Sequence, residues 1–187
     1  MEKMTEKILK LLQREKVDEA VELISNTLAD KFHQLQASDV ITAYHLFHQC
    51  YALRDFEQAH KSINTAAQYL AEEGKKKIQY NLDGAIENIA GAVIRYSFGG
   101  DLELAKSNLK ELESLPKVDR YEIYDLAKEI YDTLKSKNTE NLNSIKKKYK
   151  KFFNEKENNW AIMEIDYYTT PLIKVESKIP DKILAGA

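Results

Sequence analysis

Very little in this chain interrupts a helix or staples a fold. Its 187 residues include three prolines, six glycines and one cysteine. Cys50 has no second cysteine with which to form an internal disulfide, which points to a reducing compartment and a core held by packing. Neither sign of charge dominates. The 28 basic and 30 acidic residues leave a net charge of −2, so there is no global attraction to nucleic acid or anionic lipid. No apolar run approaches the roughly 20 residues of a membrane span. Met1–Lys7 lacks the apolar centre of a secretion signal. A cytoplasmic location is therefore expected, with any membrane association made only through partners. Strand signals are scarce. The sole candidate, Thr169–Val175, contains Pro171, which argues against a central strand. Signatures of catalysis are missing as well, with no nucleophile–base arrangement, glycine-rich phosphate loop or metalloprotease motif. The expectation is a protein that is not an enzyme and uses no cofactor or metal.

What the chain does have is a recurring phrase. Val17-Asp18-Glu19-Ala20, Asp55-Phe56-Glu57-Gln58-Ala59 and Asp101-Leu102-Glu103-Leu104-Ala105 open three segments, and Thr139-Glu140-Asn141-Leu142 is a degraded fourth. The pivots Ala20, Ala59, Ala105 and Leu142 are spaced by 39, 46 and 37 residues. A period of this size signals stacked supersecondary units. Acidic residues at these starts complement the positive end of the helix dipole. The small pivot lets the two helices of a hairpin approach closely. Apolar residues elsewhere step by three and four, as in Val40, Tyr44, Phe47 and Tyr51, or in Leu142, Ile145, Tyr149 and Phe152. Each set lies on one helix face.

Start and stop signals divide the chain further. Ser38 and Asp101 read as N-caps, and Asp119 with Glu122 as a capping box. Gly99-Gly100 ends one helix and Pro116 follows another. The predicted fold is all-α, with about nine helices near 2–14, 17–31, 38–53, 55–72, 76–98, 101–115, 119–136, 139–153 and 158–169. Short connections make neighbours antiparallel. Their hairpins stack as a right-handed solenoid of the tetratricopeptide type, one domain over residues 1–174, followed by a tail at 175–187.

Asp55-Phe56-Glu57-Gln58-Ala59 resembles the second-helix opening of tetratricopeptide repeats. A narrower resemblance runs over residues 86–175. Ile86–Tyr96 followed by Gly99–Ala105 is similar to the late repeats of the soluble NSF attachment proteins. The similarity continues through Glu122–Ile130 and Asn138–Leu142 to Asn159–Met163, where Trp160 matches a lone tryptophan at the start of that family's last long helix. Those proteins are considerably longer, and their membrane-inserting N-terminal loop has no counterpart in residues 1–40. The resemblance thus implies a shortened relative. It also implies a role in holding a coiled-coil, SNARE-like bundle while the C-terminal end engages an AAA ATPase. Ile183 and Leu184 would belong to that ATPase-facing end.

Few side chains invite a site. His45, His48, Cys50 and His60 include nitrogen and sulfur ligands of the kind zinc takes. No acidic or second cysteine ligand sits at matching spacing, so packing histidines and a small buried thiol are expected instead. Lys146, Lys147, Lys148, Lys150 and Lys151 form the densest charge run, interrupted by Tyr149. A solvated helix face is one reading, and a docking patch for an acidic protein is the functional one. Eleven tyrosines suit repeat cores and interfaces alike. Tyr124, Tyr131 and Trp160 are expected in the core. The function that follows is a protein–protein interaction adaptor binding an acidic or helical partner. The alternatives are a regulatory or nucleic-acid-associated module using the Lys146–Lys151 helix, and a self-assembling scaffold.

Overall fold

The computed structural model describes residues 2–31, 37–51 and 55–153. Among these, all regular structure is helical. The α-helices are α1 (Glu2–Gln13), α2 (Val17–Lys31), α3 (Ala37–Tyr51), α4 (Phe56–Lys77), α5 (Leu82–Phe98), α6 (Leu102–Glu113), α7 (Glu122–Lys135) and α8 (Leu142–Phe153). The expected ninth helix at 158–169, the strand candidate, Trp160, the tail and its Ile183 and Leu184 lie outside the described residues.

The recurring phrase has a physical origin. It opens α2, α4, α6 and α8, and all four pivots are buried. Three hairpins close through the same turn. A residue with left-handed backbone ends the odd helix: Glu15 (φ 59°), Gly100 (φ 77°) and Lys137 (φ 57°). The next residue donates its N–H back to a carbonyl five positions earlier, Lys16 to Leu11, Asp101 to Tyr96 and Asn138 to Thr133, at 2.9–3.1 Å. That is the bonding of a Schellman turn. The pivot then falls five residues after each left-handed residue. At α2, α4 and α6 the pivot alanine donates to the carbonyl four residues back: Ala20 to Lys16, Ala59 to Asp55 and Ala105 to Asp101. Asp55 and Asp101 cap their helices by accepting from Gln58 N and Leu104 N, each at 3.1 Å.

Only one of these three turns carries the glycine that such backbone favours. A side chain in the left-handed region costs about 1–2 kcal/mol. Lys137→Gly is therefore expected to raise stability by up to ~1 kcal/mol once the backbone entropy of glycine is subtracted. A raised urea midpoint with an unchanged slope is the outcome that checks it; an unchanged or lowered midpoint contradicts it.

Several boundaries differ from the sequence expectation. Helix α4 continues past 72 to Lys77, carrying Gly74 inside it. A Cβ at Gly74 would lie 2.6 Å from Ile89 Cγ1. This glycine serves the close approach of α4 and α5 rather than a turn. Helix α5 starts at Leu82, not near 76, because Asn81 caps it by accepting from Gly84 N at 3.0 Å. Ser38 lies within α3 instead of before it. The capping box at Asp119 and Glu122 does not form. Asp119 sits in a 3-10 turn, Val118–Arg120, and Tyr121 takes the cap position with no side-chain cap. The Tyr121 hydroxyl instead donates to Asp83 Oδ1 at 2.5 Å, tying that turn to the start of α5.

Helix α5 is the centre of the molecule. It packs against α4, α6 and α7, and Arg95 reaches α3. Every residue from Ile89 to Gly99 is buried. A helix that is apolar nearly all round belongs inside, and Ala85, Ala90, Gly91 and Ala92 let its neighbours come close. Asn64 early in α4 donates to Gly99 O beyond the end of α5, at 3.2 Å. Gly74 late in α4 meets Ile89. The two helices therefore run antiparallel. Odd helices also touch next-but-one partners, α1 with α3 and α5 with α7.

Candidate protein-binding surface

The lysine run lies on α8, but its members are not equivalent. Lys148 Nζ pairs with Glu129 of α7 and sits 4.9 Å from the centroid of the Tyr149 ring. The buried Tyr149 hydroxyl donates to the same carboxylate at 3.0 Å. Burial, helped by that hydrogen bond and the charge of Glu129, holds the phenol far above its usual range. Glu129, Tyr149 and Lys148 thus staple α8 to α7. Lys146 is half-buried, whereas Lys147 and Lys150 are exposed. Lys151 lies within α8.

Two grooves flank α4. One, of about 510 Å³, runs between α4 and α6 over Tyr96, with Glu57, Lys61, Gln68 and the exposed Leu104 on its walls. The other, of about 320 Å³, runs between α2, α3 and α4. Its floor is the rank Tyr44, Phe47 and Tyr51, with ring centroids 6.0 and 6.4 Å apart. Lys61 and Thr65 border both grooves and form the ridge between them. The aromatic stripe of α3 is half-buried rather than core. The buried line of that helix is Val40, Ala43, Leu46 and Cys50, also spaced three and four apart. Periodicity alone cannot choose between two overlapping stripes. The smaller side chains took the inside, where they cluster with Ile8 of α1 and with Ala20 and Ile24 of α2.

The tyrosines divide in the same way. Tyr131 is buried. Tyr124, expected in the core, is half-buried at its rim, with its hydroxyl 3.4 Å from Glu113.

The histidines meet a group that sequence reasoning missed. Arg95 of α5 is only 3% exposed. Its Nε donates to His45 Nε2 at 3.2 Å and its Nη1 to Gly91 O at 2.9 Å. Burial, Arg95 and then His48 lower the His45 pKa well below the ordinary value. Burial, with the nearby His60, lowers His48 to about 4. Burial also lowers His60 and raises the Cys50 thiol to about 11. Among the described residues, no three His, Cys, Asp or Glu side chains are placed to hold a metal ion. The only hint of Arg95 in the sequence is a single charge inside an otherwise uncharged run from Ile89 to Phe98.

No helix among the described residues is long and apolar enough to cross a membrane. Comparison with known proteins finds no matching protein-family model, no matching curated protein and no matching solved structure. The likeness to tetratricopeptide repeats and to the attachment proteins rests on the quoted residues alone.

Proposed function

We propose that the protein is a non-enzymatic adaptor whose antiparallel hairpins stack as a right-handed array and bind an acidic, helical protein segment. One observation carries this reading. Three hairpins close through the same left-handed turn, with the pivot at the same offset after it. Repetition of one hairpin geometry is how helical arrays build extended grooves for other macromolecules. The two grooves beside α4, with the Lys61 ridge between them, support this reading. The sequence likeness to the attachment proteins favours a coiled-coil bundle as partner and an AAA ATPase as a second contact.

Lys147 and Lys150 supply the exposed local field, screened over about 8 Å at physiological salt. Peripheral charges act chiefly on association rate. Lys147→Glu with Lys150→Glu is expected to slow association with an acidic helical peptide by roughly tenfold and to leave the thermal midpoint unchanged. Lys148→Glu is a different experiment. It would set a second carboxylate against Glu129 and Tyr149, and destabilise the α7–α8 contact. Stopped-flow association at low and physiological salt reads the first effect. Equal rates for wild type and the double variant overturn the assignment of the acidic partner to α8. Binding of a DNA duplex in preference to the peptide, with a steep loss of affinity in salt, supports the nucleic-acid reading instead.

A further inference from the structure

The two grooves beside α4 occupy corresponding places in consecutive hairpins. One lies between α2 and α4 over α3, the other between α4 and α6 over α5. Their walls match when counted from the buried pivots. Ser25 stands five residues after Ala20, and Asn64 stands five after Ala59. Gln58 stands one residue before Ala59, and Leu104 stands one before Ala105. The match has a simple origin. Helix geometry fixes which side chains share a face, so equal offsets from equivalent pivots reach equivalent places. Helix α4 is the wall common to both grooves, and Lys61 and Thr65 border each of them.

Each groove offers apolar surface, and the ridge between them offers charge. The half-buried rings of Tyr44, Phe47 and Tyr51 floor the first. Tyr96 floors the second, and Leu104 on its wall is 44% exposed, one of two exposed large apolar side chains among the described residues. Lys61 is exposed on the ridge and makes no ion pair with any described residue. Glu57, one turn nearer the start of α4, borders the second groove and repels a carboxylate placed beyond Lys61. We propose that one acidic helix crosses α4 and fills both grooves at once, with an apolar side chain in each and a carboxylate between them on Lys61. This rests on the adaptor reading above and names the surface and the ligand pattern.

The spacing selects the register of that ligand. A helix with its side chains is about 10–12 Å wide, so grooves on the two flanks of α4 are about 10 Å apart. Positions i and i+7 of a helix share a face and are separated by about 10.5 Å along its axis. Positions i+3 and i+4 fall between them on that face. An extended strand spans the same gap in about three residues, which puts its two anchors on opposite faces. The pattern that fits is a helix with apolar anchors seven residues apart and Asp or Glu between them.

The probe is a side-chain-stapled helical peptide of about 14 residues, read by its apolar anchors as in other helix-in-groove pairs. It is built of alanine and glutamine, with leucine at the fourth and eleventh positions and glutamate at the seventh and eighth. Titrated into the full chain, it should shift the amide signals of Ser25, Thr65 and Leu104 together and saturate at one peptide per chain. Lys61→Glu should weaken binding by roughly tenfold and leave the thermal midpoint unchanged, since Lys61 is exposed. Lysines in place of the two glutamates should restore binding to that variant. Moving the second leucine two positions along puts it on the opposite face and should cost about tenfold in affinity. Two peptides per chain, or shifts in one groove alone, overturn the proposal. Shifts confined to α8 and lost with Lys147→Glu and Lys150→Glu overturn it and leave the adaptor reading standing. The absence of any saturable shift overturns both.

Discussion

Ile89→Ala is expected to lower the free energy of unfolding by about 2–5 kcal/mol, the range for deleting a buried large aliphatic side chain. Ile89 is fully buried on α5, in the stretch Ile89–Phe98 that is buried throughout. The cost has a specific partner. A methyl at Gly74 would meet Ile89 Cγ1 at 2.6 Å, so Gly74→Ala alone should destabilise by about 1–2 kcal/mol through overpacking, despite alanine's better helix propensity. In the Ile89→Ala background that atom is gone. The second substitution should then cost about 1 kcal/mol less than it does alone. The contacts to Ala85 O and Asn88 Cβ, at 3.2 Å, remain and limit the recovery. Urea denaturation of the four proteins reads the cycle. Strictly additive effects would show that α4 and α5 do not approach through this pair.

Ala105→Trp should destabilise by about 3 kcal/mol, the upper end for overpacking a filled site. Ala105 is the pivot of α6, wholly buried four residues after its Asp101 cap. Its neighbour Lys106 is exposed, and Lys106→Trp should stay within about 0.5 kcal/mol of wild type. A difference between the two variants assigns the loss to the helix contact and not to tryptophan in α6. Equal midpoints would remove the pivot's role.

The helical class was legible because composition and spacing act locally. With few prolines and glycines, and apolar residues stepping by three and four, the backbone has one economical way to bond itself. The pivots were legible for a related reason. An acidic start followed by a small residue is a local device, and Ala20, Ala59 and Ala105 are all buried where it recurs. The turns before them were not. Gly100 announces left-handed backbone, but Glu15 and Lys137 adopt it with ordinary side chains, so the shared hairpin closure is invisible in residue type. Gly74 lies inside α4, beyond the expected end of that helix at 72. Glycine usually marks an end, and only the packing of α5 on α4 shows that it marks an approach.

The candidate surface divides in the same way. The sequence by itself determined that a run of lysines covers α8 and that Tyr149 interrupts it on the apolar stripe, since a helix of 3.6 residues per turn fixes which side chains share a face. It also determined the all-helical character and the positions of the repeated starts. The tertiary structure decided the rest. It joined Lys148 to Glu129, 19 residues away in the chain, and left Lys147 and Lys150 exposed. It set Ala43, Leu46 and Cys50 inside and the aromatic rank of α3 along a groove. It brought Arg95 to His45 across 50 residues of chain. Such pairings depend on which helix faces meet and at what separation. That is settled by how side-chain volumes fill the space between helices, a property that no single segment carries.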